Sequence, residues 1–125
     1  MVSIVLFAAL AVVILVDVLC WAGSLYTLDQ LIRREYEAHR AAWDSDGRPS
    51  GLISFRPPEA DYFAGRRAYS RLYYGWLFTT PRWVESDPEA RKLLTRTRCM
   101  SAAWHLGFVF VMFSTWIYMA ASHNI

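Results

Sequence analysis

Charge is scarce in this chain and unevenly placed. Asp, Glu, Lys and Arg make up 19% of the 125 residues, below the usual soluble range, and no Lys or Arg occurs before Arg33 or after Arg98. The formal net charge of +2 is too small to point to nucleic acid. With only two cysteines, Cys20 and Cys99, a disulfide framework is not expected, and both read as reduced, packed thiols. There is no H-E-x-x-H, C-x-x-C, P-loop, G-x-G-x-x-G or G-x-S-x-G, so no recognisable catalytic motif directs the reading toward an enzyme. Internal repeats and low-complexity tracts are missing too. The N-terminus lacks the positive n-region of a secretory signal, and its apolar run exceeds the usual h-region, which favours an uncleaved anchor.

What the chain has in excess is apolar sequence: hydrophobic residues reach 55%. They concentrate in two blocks, Val2–Tyr26 and Cys99–Ala121, each long enough to cross a bilayer, which takes about 20 mostly apolar residues. Asp17 interrupts the first. A centred Asp costs roughly 2.5–3.5 kcal/mol on the insertion scale, while each Leu, Ile, Val or Phe returns roughly 0.3–0.6. About a dozen such residues surround it, so the sum still favours insertion.

All Lys and Arg residues lie between the two blocks, with Arg33, Arg34 and Arg40 on one flank and Arg91, Lys92, Arg96 and Arg98 on the other. Positive residues beside membrane segments stay in the cytoplasm. The expectation is an all-α integral membrane helical hairpin with long helices extending into the cytoplasm and an amphipathic helix between them. Residues 1–26 form the first transmembrane helix, 27–98 a cytoplasmic helical region, 99–121 the second transmembrane helix and 122–125 an external tail. Both termini are placed in the periplasm.

Leu25, Leu28, Ile32, Tyr36, His39 and Trp43 recur at helical spacing and extend the first helix into the cytoplasm, with Asp29, Arg33, Arg34, Glu35, Glu37 and Arg40 on its other faces. The turn cluster Asp44–Gly51 ends it. A second helix is predicted from about Glu59 to Phe78, opened by Pro57-Pro58. Ser86 with Glu89 makes a capping box, with Pro88 between them, for a helix that runs on into the second apolar block.

Asp17 is the first candidate functional residue, because an ionisable group inside a membrane segment is a functional hypothesis by default. As a lone acid it reads more readily as an interhelical hydrogen-bond anchor than as the basis of a minimal proton-conducting or transport oligomer. His105 sits at a depth Asp17 can reach, which allows an Asp17–His105 contact. Ala103, Gly107 and Ser114 form a small-residue ridge suited to close helix packing. His105 is two positions from Ala103 and so about 200° around the helix. Either the ridge packs on the first helix and His105 meets another molecule, or the reverse holds. Both options point to other membrane subunits or a homo-oligomer. His105 also has Ser101 and Ala102 one turn before it, which leaves room for a haem or bacteriochlorophyll macrocycle. The segment Arg66–Phe78 mixes arginine with aromatics. Arg66, Arg67, Arg71, Tyr73 and Trp76 suit a membrane interface, as they suit packing on the first helix. His39 and His123 share no metal-binding spacing with Cys or Asp.

The sequence resembles the universal stress protein B family, most clearly from Arg67 to Val111: in R-x-x-Y-S-R-L-Y, in the acidic turn around Glu85–Glu89, and in R-T-R before the second apolar block. Asp17 stands at the family's polar position in the first helix, and Asp44–Pro58 departs from the pattern. The resemblance implies a bacterial inner-membrane protein associated with stress, and it supplies no catalytic residues. The overall expectation is a non-enzymatic, two-pass protein acting by helix packing in the lipid bilayer, as an accessory subunit or stress-associated factor, with no cofactor, or, alternatively, with a pigment or haem at His105.

Overall fold

The computed structural model describes residues 2–122, with side chains from Ile4 onward. These residues form five helices and no strand: α1 (Val2–Ala38), α2 (Arg40–Ser45), α3 (Tyr62–Phe78), α4 (Arg82–Glu85) and α5 (Pro88–Ser122). Two of them, Ile4–Ala38 and Pro88–Ser122, are long and apolar enough to cross a membrane.

The long helices α1 and α5 lie side by side in opposite directions. Phe7 meets Tyr118 edge-on at 6.4 Å, Asp17 lies against Gly107, Met100 covers Gly23, and Thr27 hydrogen-bonds Thr97 at 2.8 Å. On α1 the less exposed positions are Leu10, Val13, Asp17, Cys20, Ser24, Thr27 and Leu31; on α5 they are Thr97, Ser101, Trp104, Gly107, Val111 and Ser114. Steps of three and four are the seam of a coiled-coil contact. Asp17 therefore occupies a seam position. Most of the other described side chains of both apolar segments are exposed, among them Leu6, Val12, Leu19, Phe108 and Phe113.

Beyond Tyr26 the helices enter a packed headpiece. Leu28, Leu31, Ile32, Trp43 and Val84 are fully buried, with Leu72, Trp76 and Leu94 packed around them. The face predicted from Leu25 to Trp43 is the buried one, with Tyr36 and His39 half-buried. The helix itself is not continuous to Trp43, however. It breaks at His39 (φ −133°, ψ 51°), whose ring reaches Asp87 at 3.0 Å. The break turns α2 so that Trp43 points inward, where its indole N–H donates to the Pro49 carbonyl at 2.9 Å. α2 then closes in a Schellman turn: Gly47 takes φ +88°, the Gly47 N–H donates to the Asp44 carbonyl, and the Arg48 N–H donates to that of Trp43.

Two acids of the other faces of the first helix, Asp29 and Glu35, are also buried. Asp29 is held there by the following loop, since its carboxylate accepts the backbone N–H groups of Leu52, Ile53 and Ser54 at 2.8, 2.6 and 2.7 Å. Charge alone marks these positions as exposed, whereas the loop carries the donors that let Asp29 be covered.

The starts of α3 and α5 also differ from expectation. Pro57 and Pro58 lie in a turn before α3, and Asp61 is its N-cap, accepting from the Phe63 and Ala64 N–H groups at 3.0 and 2.8 Å. Asp87, not Ser86, caps α5, through the Glu89 and Ala90 N–H groups. Ser86 donates to the Trp83 carbonyl and Glu89 pairs with Lys92, so the predicted box does not form. Asp87 has a second role that fixes the choice: Arg34 donates to it at 2.8 Å. That bond first, then the His39 bond and the Ala90 N–H, hold the Asp87 carboxyl well below its ordinary pKa.

Candidate functional site

Polar groups of the apolar segments lie along one line, the α1–α5 seam, which α3 joins at Ser24 and Ser101. The deepest is Asp17. Its carboxyl lies on the bare backbone of Gly107, so close that a Cβ there would collide with Asp17 Oδ1. No described residue donates a hydrogen bond to it.

His105 is not its partner. The His105 Nδ1–H donates to the Ser101 carbonyl at 2.7 Å, and no bond joins the ring to Asp17. The reason is angular. Gly107 is turned toward α1, and two positions along an α-helix turn a side chain about 200° away. Of the predicted ridge, Gly107 and Ser114 are in the seam, while Ala103 is exposed outside it.

Where the apolar segments meet the headpiece, the hydroxyl of Tyr73 stands between the two long helices. It lies 2.8 Å from Ser101 Oγ and 3.5 Å from Ser24 Oγ, and accepts the Trp104 indole N–H at 3.1 Å. One turn further, Thr27 and Thr97 face each other. A phenol surrounded by three donors and acceptors is a satisfied buried polar group that fixes α3 against both long helices. Arg98 completes the attachment by donating to the carbonyls of Trp76 and Thr79, both at 2.9 Å, at the end of α3. Tyr73 and Trp76, which suit either a membrane interface or packing on the first helix, are buried within the protein. Arg66 is half-buried, Arg67 and Arg71 are exposed, and Arg71 donates to the Asp46 carbonyl.

Beside this line, on the His105 side of α5, lies a cavity of about 560 Å³. It is walled by Tyr74, Leu77, Phe78, Arg98, Ser101, Ala102, His105 and Leu106. Ser101 and Ala102, the small residues read as room beside His105, do line this space. The bond to the Ser101 carbonyl makes Nδ1 the donor, so that in the neutral ring Nε2 carries the lone pair, the arrangement of a histidine able to accept a proton donor or a metal.

The headpiece holds one further unusual group. Glu35 is fully buried, and neither carboxyl oxygen has a hydrogen-bond partner; the buried Trp83 indole N–H also lacks one. Burial first, and the neighbouring Asp46 second, push the Glu35 carboxyl up to about 9, so it is protonated at neutral pH. Among the described residues no three His, Cys, Asp or Glu side chains are grouped to hold a metal ion, and His123 lies outside those residues. Cys20 and Cys99 are both free.

Sequence reasoning missed Tyr73 as the junction and Asp29 as the loop anchor. The seam was readable, in the three-and-four recurrence of Leu10, Val13, Asp17, Cys20 and Ser24. Compared with family models, curated proteins and solved structures, the chain matches none.

Proposed function

We propose that this chain is a two-pass protein of a bacterial inner membrane, with both termini periplasmic and the headpiece cytoplasmic. In this reading it is not an enzyme, and it works by helix packing as an accessory subunit of a larger membrane complex. Its association with stress rests on the family resemblance alone. The observation that carries the reading is the contrast between the two sides of α1 and α5. Their seam and headpiece are packed, whereas their outer apolar faces are exposed along the whole paired length. In lipid such faces need no polar partner, and helix pairs there associate through small residues and close backbone approach, as at Gly107.

The test is extraction from native membranes in mild detergent followed by native electrophoresis. Migration as a discrete larger assembly or oligomer supports the reading; a clean monomer overturns the subunit role. Protease access to the headpiece in inverted but not right-side-out vesicles checks the orientation.

A second reading is favoured by the His105 cavity: a pigment- or haem-binding subunit in which Nε2 ligates the metal of a tetrapyrrole. A visible absorption band in the protein kept with its native partners, lost in His105→Leu, supports it. A preparation with no such band ends it.

A further inference from the structure

Four of the twelve arginines, all of which lie between the two apolar blocks, are paired with a carboxylate. Arg33, Arg34, Arg40 and Arg48 each lie 3.2 Å or less from a carboxylate oxygen. Arg66 and Arg67 have no such partner among the described residues. The Nε of Arg66 is buried with no hydrogen-bond acceptor, and its guanidinium stacks 4.9 Å from the Tyr62 ring, which Arg56 also approaches at 5.1 Å. Stacking holds a guanidinium in place without consuming its charge.

These arginines open onto two adjoining cavities. One, of about 480 Å³, is lined by Phe63, Arg66, Arg67 and Ser70. The other, of about 310 Å³, also begins at Arg66 and Ser70 and continues past Tyr74 and Leu52 to Trp21 and Trp104. Sharing Arg66 and Ser70 as walls, the two cavities are read together as one groove with two unlike ends. Its cationic end carries two unpaired guanidinium groups and the Ser70 hydroxyl. Its apolar end reaches the point where the α1 and α5 apolar segments begin. No acidic side chain lines either cavity. The nearest carboxylate in sequence, Asp61, is occupied in capping α3.

We infer that this groove is a binding site for an anionic phospholipid of the leaflet facing the headpiece. The phosphate sits between Arg66, Arg67 and Ser70, and an acyl chain lies along Leu52, Trp21 and Trp104. Two guanidinium groups and a hydroxyl supply the charge-assisted donors a phosphodiester requires. With two guanidinium groups and no carboxylate at that end, a headgroup ammonium meets like charge, which sets the preference for a lipid of net negative charge. The site rests on the membrane reading above.

The test uses the full chain in mild detergent, mixed with phosphatidylglycerol and phosphatidylcholine in equal amounts, with retained lipid counted by native mass spectrometry. One phosphatidylglycerol should be held per chain, with about tenfold preference over phosphatidylcholine, and Arg66→Gln/Arg67→Gln should abolish the preference. Phosphatidylglycerol with brominated acyl chains should quench tryptophan fluorescence, and Trp21→Phe/Trp104→Phe should remove most of that quenching. Equal retention of the two lipids, retention indifferent to the arginine substitutions, or displacement by glycerol phosphate at lipid-like concentration would overturn the site. Circular dichroism confirms that each variant is folded. Flotation of the wild-type chain with pure phosphatidylcholine vesicles is the separate arm: failure to float overturns the membrane reading, whereas flotation with no lipid preference overturns only the site.

Discussion

Asp17 lies on Gly107, and the contact leaves no room for a side chain at that position. A carboxyl group on an apolar helix is here accommodated by the absence of an atom on its neighbour. Gly107→Ala should therefore weaken the α1–α5 pairing by about 1–3 kcal/mol, the usual cost of overpacking. In an Asp17→Ala background the added methyl has space, so the same change should be nearly neutral. Thermal unfolding in detergent of the two single variants and the double variant checks this. Additive losses would mean that the two residues do not share the contact.

Tyr73→Phe removes one oxygen and leaves the shape of the ring. The Trp104 indole N–H and the Ser101 hydroxyl then lose their partner, at a cost of about 1–3 kcal/mol. Near-ultraviolet circular dichroism, followed through thermal unfolding, should show the melting of aromatic packing shifted downward. An unchanged midpoint would show that the hydroxyl contributes nothing to the junction.

Asp29→Asn replaces a double-sided acceptor with a group that carries its own donors. Leu52 uses Oδ1, and Ile53 and Ser54 share Oδ2, so one side must face N–H against N–H. The loop should detach at a cost on the order of 2 kcal/mol. Chymotrypsin should then cut after Leu52 and Phe55 well before the folded wild-type chain is cleaved there. Equal cleavage rates would show that the loop is held by other contacts.

Glu35 makes the stability of the headpiece depend on pH. Its carboxyl binds a proton up to about pH 9 when folded, against an ordinary value of 4.5 when unfolded. Between these values the folded state holds the extra proton, so stability is highest below pH about 4.5 and falls as pH rises toward about 9. Asp87, held below its ordinary value, acts in the opposite sense, and its contribution is lost only in acid. Glu35→Gln should remove the decline above neutrality and stabilise the chain at pH 8. Chemical denaturation of wild type and variant at pH 6, 7, 8 and 9 tests this; parallel curves would show that Glu35 does not titrate in this range.

How much of this was legible in the residues follows from the kind of signal each feature leaves. Periodicity marked the buried face from Leu25 to Trp43, because burial repeats with the helix. It did not mark the break at His39, which is fixed by Asp87, a residue far along the chain. The start of α3 was misplaced by about three residues and that of α5 by one, because several of Ser86, Asp87 and Glu89 suit a cap locally and tertiary bonds decide among them. The burial of Asp29 and Glu35 was not legible because charge is a local cue, whereas the donors that cover Asp29 lie in a loop with no regular pattern. Of the candidate residues, Gly107 and Ser114 lie in the seam, Ala103 lies outside it, and no bond joins Asp17 to His105.

The seat of Asp17 also imposes an order in time. Synthesis runs from the N-terminus, so the carboxyl exists long before Gly107 does. Throughout that interval the first helix carries an acid with nothing shaped to receive it. α5 thus finishes α1, and a chain cut short of Gly107 retains an unmatched acid in α1.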